Sequence, residues 1–181
     1  MNTALETINF KNKIIEIHQD NYPQNPREND NADIIICFHK RYTLGDKHNY
    51  KINDFSGWDE LEKQLIKDYQ PIAIKPIYMY DHSGVTISTT PFSCPWDSGQ
   101  IGFILISRET ALKENYSKRI DKKIKTWAEK YIQASIKEYD QYLTGDVYGY
   151  IIKDENEEEI NACWGFYGLN YTIKQAKEFI A

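Results

Sequence analysis

Three stretches concentrate the side chains that can do chemistry: His39–Tyr50 (HKRYTLGDKHNY), Tyr80–Gly102 (YDHSGVTISTTPFSCPWDSGQIG) and Tyr139–Gly168. Within the second, Cys94 lies between Pro91 and Pro95, a stiff loop that can hold a thiol in one pose. A nucleophilic thiol needs a base or a cation beside it. His39 and His48 are the imidazoles that tertiary folding could bring to it, and Asp97 is placed to orient them or to bind substrate. His82 is nearer in sequence but is excluded by geometry. If Val85–Thr89 is a strand rising about 3.3 Å per residue, His82 and Cys94 sit on the order of 20 Å apart. These groups would make a small thiol hydrolase or transferase using Cys94, Asp97 and either His39 or His48, the alternative to a protein that acts by binding. The plainer alternative is a set of hydrogen-bonded histidines and buried thiols, with Asp97-Ser98-Gly99 and Gly45-Asp46 as turns.

Other chemistries find less support. His39, Asp46 and His48 lack the close spacing of a zinc site, and Cys37, Cys94 and Cys163 are too far apart for a knuckle or a disulfide framework. GxGxxG, GxxxxGK[ST], GxSxG and HExxH do not occur. No metal and no cofactor is expected. Two surfaces could instead hold a partner: the aromatics Trp164, Phe166 and Tyr167, and the acidic Glu157, Glu158 and Glu159 in DENEEE. A third, KRIDKKIK at 118–125, carries a charge of +4 through Lys118, Arg119, Lys122, Lys123 and Lys125, and could meet nucleic acid. The net charge of −5 speaks against a generic nucleic-acid binder, and solvation of an outer helix face explains the lysines as well.

The elements that must position these groups follow from composition and period. A chain of 181 residues that is 41% hydrophobic and 27% charged is expected to form one domain spanning 1–181. Its 25 Ile against 2 Val and 18 Lys against 4 Arg point to an AT-rich coding bias, so abundant Tyr, Asn and Lys are weak evidence of ligand binding. The N-terminus lacks a basic segment followed by an apolar one, and no apolar run approaches membrane length, so a cytoplasmic protein without membrane contact is expected.

KIIEIH (13–18) and DIIICF (33–38) read as strands, joined by a mobile polar loop over 19–32. Trp58, Leu61 and Leu65 mark a first helix after Asp54. PIAIKPIYMY and VTISTT form a hairpin about DHSG, with Asp81 opening and Gly84 closing a type I turn. IGFILI (101–106) and VYGYII (147–152) are apolar enough to be central strands covered on both faces. Ser107 can cap RETALKEN. A long helix over about 118–143 presents Ile120, Ile124, Trp127, Tyr131, Ser135, Tyr139 and Leu143 as one stripe. A hairpin turning at the acidic stretch and a last helix in TIKQAKEFIA complete an α+β fold, a mostly antiparallel sheet with about three helices packed on it.

The motifs FHKRYTLGDKH, YDHSG, PFSCPWDSGQIGFI, YDQYLTGDVYGY and CWGFYG resemble a family of small proteins carried by bacteriophages and their bacterial hosts, over about residues 33–168. The resemblance implies a phage or mobile-element accessory protein that binds a host macromolecule, a protein or a nucleoprotein complex, and counters a host defence. It implies no particular activity.

Overall fold

The computed structural model describes residues 3–181. In chain order its elements are β1 (Glu6–Phe10), β2 (Lys13–Gln19), β3 (Ile34–Cys37), α1 (Trp58–Tyr69), β4 (Pro71–Asp81), β5 (Val85–Ser88), β6 (Ser98–Ser107), α2 (Arg108–Glu114), α3 (Lys122–Thr144), β7 (Val147–Lys153), β8 (Glu159–Tyr167) and α4 (Leu169–Ile180). Every strand pair is antiparallel, and the α+β class stands. The expected single sheet is two four-stranded sheets, β1-β2-β7-β8 and β3-β6-β4-β5. The helices number four because RETALKE forms a helix of its own, with the Ser107 hydroxyl accepting from Thr110 N–H as its cap. Where one domain is expected, the chain divides into two compact units, one of residues up to Pro26 with Gln141–Ala181, the other Arg27–Asp140.

In the first unit β1 and β2 form a hairpin about Lys11 and Asn12, whose φ angles of 47° and 58° supply the left-handed pair a two-residue turn needs. Ile15 and Ile17 of β2 and Tyr150 and Ile152 of β7 form a core with Ala176 of α4, closed by Leu169, Ile173 and Ile180. The β7–β8 hairpin turns at the acidic stretch as expected. The Asp154 carboxylate accepts N–H groups from Asn156 and Glu158 at 2.8 and 2.9 Å. These bonds, that from Glu158 foremost, hold its carboxyl below the usual range. β7 is an inner strand, but Ile151 is only half-buried, so coverage of both faces applies to β6 and not to β7.

The second unit is built around β6, whose residues 101–106 are all buried. Phe103 and Leu105, with Ile36 of β3, pack on Leu61 and Leu65 of α1. α3 begins at Lys122 rather than 118, because the Asp121 carboxylate accepts the Ile124 N–H at 2.9 Å and ends the preceding loop. Four-residue steps from Ile124 bury Ala128, Ile132 and Ile136, then Tyr139. Of the expected stripe, Trp127, Tyr131 and Ser135 only flank this seam, half-buried. Asp140 of α3 accepts from Thr86 Oγ1 and Ile87 N–H of β5 at 2.6 and 2.8 Å, satisfying part of an edge strand.

The segment 19–32 contains a single 3-10 turn at Pro26–Glu28, and Arg27 is tied down. The Arg27 side chain is 4% exposed and that of Asp33 is fully buried. Arg27 Nη1 donates to Asp33 Oδ2 at 2.8 Å and to Ser135 Oγ at 3.2 Å, while Nε and Nη2 take both oxygens of Asp46 at 3.0 and 2.6 Å. Asp46 Oδ2 also accepts the Ile35 N–H at 2.8 Å. Burial pushes the Asp33 carboxyl up from its ordinary value while the Arg27 charge pulls it down. Asp46 reaches this position because Gly45 adopts φ +75° with its Cα against β3, where a Cβ would stand 2.7 Å from the Ile35 carbonyl oxygen. Arg27→Met leaves two carboxylates facing each other without a cation. The expected loss is about 3–5 kcal/mol of stability, read from the urea midpoint at constant slope; an unmoved midpoint refutes the role given to Arg27.

Candidate functional site

The first two chemistry-bearing stretches meet in the second unit, around a cleft of about 1020 Å³. The end of β3 and the following loop contribute Cys37 through His48; the end of β4 contributes Asp81, and the approach to β6 contributes Trp96 and Asp97. Phe38, Trp58 and Met79 supply apolar wall. Trp96 is 92% exposed.

The strand expected at Val85–Thr89 is present as β5, yet it does not keep His82 and Cys94 apart. Cys94 Sγ lies 3.8 Å from Asp97 Oδ2, and His82 Nδ1 lies 3.3 Å from the same oxygen. The reason is topological. β5 and β6 flank β4 and are both antiparallel to it, so they run parallel to each other, and residues 89–97 must carry the chain back to the level at which β5 began. β6 accordingly starts with Ser98 opposite Tyr80, and the Asp81 N–H donates to the Asp97 carbonyl at 2.9 Å. Phe92 of the returning segment packs on Tyr80, which also stacks on His82. Ser98, read as a turn residue, belongs to β6, and its hydroxyl donates to the Cys94 carbonyl.

Asp81 is likewise not spent on the DHSG turn. Its carboxylate accepts from Arg41 and, at 3.3 Å, from the Tyr42 hydroxyl, while Ser83 takes the left-handed conformation in the turn. His39 stacks on Tyr42 with ring centroids 5.0 Å apart, and its Nδ1 accepts the N–H groups of Arg41 and Tyr42 at 3.3 Å. His48 donates from Nε2 to the Cys37 carbonyl at 3.0 Å and packs against Phe38. Its Nδ1 is buried, with no hydrogen-bond partner among the described residues. The imidazole at Asp97 is therefore that of His82, not of His39 or His48. The thiol there points at a carboxylate rather than at an imidazole. What the arrangement offers is a loop-borne thiol and an exposed imidazole sharing one acceptor, beside a cleft whose rim is cross-braced.

The candidate surfaces of the third stretch lie in the first unit. Trp164 covers Gly149, where a Cβ would come within 2.2 Å of the indole, and stands 6.0 Å from His18 on one face of the sheet. Phe166 stacks on Tyr150 at 5.4 Å in the core on the opposite face, and the Tyr167 hydroxyl donates to the Gln24 carbonyl at 2.9 Å. Trp164, Phe166 and Tyr167 are thus not one aromatic patch: residues two apart on a regular strand share a face, but the register shift between Tyr148 and Tyr150, opposite Gly165 in the left-handed region (φ 84°), puts Trp164 and Phe166 on opposite ones. Glu157, Glu158 and Glu159 are exposed. No group of three or more His, Cys, Asp or Glu among the described residues has the geometry to hold a metal ion. No described helix is long and apolar enough to cross a membrane.

Comparison with protein-family models, with curated proteins and with solved structures finds no match to this chain. The family resemblance accordingly rests on its motifs alone.

The sequence reading set His82 aside on distance and missed Arg41, Asp81 and Trp96 as site residues. YDHSG and PWDSG carried a signal for His82 and Asp97, legible once β4 is known to be shared by β5 and β6. The three thiols differ in a way that labelling can read. Burial, with the Asp46 carboxylate adding to it, pushes the Cys37 thiol up to about 12. At pH 8 its thiolate is therefore scarce, and iodoacetamide should modify exposed Cys163 in the native protein much faster than the half-buried Cys37, with the difference lost once urea unfolds the chain. Native labelling of Cys37 at the Cys163 rate contradicts its raised pKa.

Proposed function

We propose that the protein works by binding a host macromolecule through the cleft of residues 27–140. The observation that carries this reading is Trp96, almost wholly in solvent at the mouth of a cleft walled by Phe38, Trp58 and Met79. A large aromatic held out of the core costs burial and is the usual anchor of a protein interface. The rim supports the same view. Arg41 and Tyr42 are engaged with Asp81, His39 with backbone N–H groups and His48 with a carbonyl, an arrangement that fixes shape rather than freeing groups for proton transfer. The resemblance to phage-borne proteins favours a bacterial protein or nucleoprotein complex as partner, met in the host cytoplasm, with interference in a defence system as the outcome. Affinity capture from a lysate of the host should return one partner near stoichiometry with the wild-type chain and lose it with Trp96→Ala, a change at an exposed side chain that leaves the fold intact. No stoichiometric partner, or one held equally by the variant, overturns the reading.

A second reading is favoured by the convergence of Cys94 and His82 on Asp97: a thiol hydrolase or transferase in which His82 replaces His39 and His48 as the base. Here Cys94 should alkylate with iodoacetamide at pH 6 faster than free cysteine, and His82→Ala should slow it, with mass spectrometry separating Cys94 from Cys163. A rate no greater than that of free cysteine removes this alternative.

A further inference from the structure

Lys118, Arg119, Lys122, Lys123, Lys125 and Lys130 are all exposed around the start of α3. Among the described residues none of the six has a carboxylate at ion-pair distance. The two acids of the same segment are committed elsewhere: Asp121 caps Ile124 N–H, and Glu129 pairs with Lys75 at 3.1 Å. Lysines in the first turn of a helix stand against its dipole, so helix stability does not account for Lys122, Lys123 and Lys125. A chain with a net charge of −5 thus keeps a local excess of +4 over residues 118–125.

Aromatic rings are interleaved with these cations. Trp127 and Tyr131, one helical turn apart with ring centroids 5.4 Å apart, line an open groove with Lys122, Lys123, Thr126 and Lys130. Tyr116, 99% exposed, lies two residues before the basic segment. It occupies a left-handed position (φ 48°) at the end of α2, where its N–H donates to the Lys113 carbonyl. That site suits glycine or asparagine, so a tyrosine there is placed at a local cost for a ring that buries nothing.

We propose that the groove of Trp127, Tyr131 and their lysines, with the exposed segment from Tyr116 that leads into it, binds single-stranded nucleic acid. The cations meet phosphates, and the rings stack unpaired bases. Charge complementarity selects a polyanion, and the aromatic groove selects among polyanions: bases in a duplex have no free face for a side chain, whereas those of a single strand do. The surface is separate from the cleft and Trp96, and its test does not depend on the binding reading given above.

The test is fluorescence anisotropy of a labelled twelve-nucleotide oligo-dT titrated with the full chain. Binding is expected in 25 mM salt, falling with salt at a log–log slope of about −0.7 for each phosphate neutralised. Lys122→Gln with Lys123→Gln, both exposed, should lower the slope by roughly 1.4. Trp127→Ala should weaken binding about tenfold or more. Tyr116→Asn, which keeps a residue suited to the left-handed position and removes only the ring, should weaken it similarly and guards against misfolding of the Trp127 variant. Trp96→Ala should bind oligo-dT as the wild type does. The proposal is overturned by no binding at 25 mM salt, by equal or tighter binding of a duplex of the same length, by affinity unchanged in both the lysine and Tyr116 variants, or by capture on anionic phospholipid vesicles that oligo-dT does not compete away.

Discussion

A guanidinium almost without solvent holds three sequence-distant pieces of the second unit in register. Arg27 follows the proline-rich loop, Asp33 introduces β3, Asp46 ends the TLGD turn, and Ser135 lies midway along α3. Two carboxylates converging on one buried cation is an expensive arrangement, since each charge gives up its water, and apolar groups of equal volume often serve stability as well. What an apolar cluster does not supply is direction. The fork of Arg27 against both oxygens of Asp46 fixes the plane of that carboxylate, whose Oδ2 then takes the Ile35 N–H. The loop carrying His39, Arg41 and Tyr42 is thereby attached to β3 at both its ends, through Cys37 and through Asp46, and His48 just beyond it donates to the Cys37 carbonyl. The cleft keeps its shape because this loop cannot drift.

The fold was legible wherever a period was strong and local. α1 and the edge strand β5 follow from spacing within ten residues, β6 from its unbroken apolar run, and the Ser107 cap from side-chain chemistry alone. β1 was not legible, because ETINF is short and its turn is made by Lys11 and Asn12 without the glycine that normally announces a two-residue hairpin. The division into two sheets was hidden for a different reason. β2 pairs with β7, more than a hundred residues on, and no local pattern says which apolar strands share a sheet. The stripe of α3 was displaced by one residue because its sequence offers two adjacent apolar rows, and only the seam selected by packing reveals which is central.

The site was legible as a set of residues and illegible as a geometry. The stretches containing His39, His48, Asp97 and Cys94 do come together, since unusual polar and aromatic motifs on loops gather where a sheet presents them. The distance argument separating His82 from Cys94 took the length of β5 correctly and the direction of residues 89–97 wrongly. A strand is rigid over its own span but does not constrain the return path. Here that path is dictated by β4 having an antiparallel neighbour on each side.

Charge was the least transparent signal, because net charge counts carboxylates without regard to their employment. Asp46, Asp81, Asp121, Asp140 and Asp154 are each bound to a backbone N–H or a cation inside the fold. Glu16 is similarly taken up by Lys153 at 2.6 Å, which holds its carboxyl below the usual range. Of these, Asp46, Asp81 and Glu16 are answered by a cation at short range, and charges in solvent farther off than a Debye length of about 8 Å at physiological salt are largely screened. The lysines about α3 have no such partner among the described residues. An approaching anion therefore meets a local field set by these lysines and by Asp121, the one acid among residues 118–125. A net charge of −5 is thus compatible with a strongly cationic face, and composition alone could not distinguish the two.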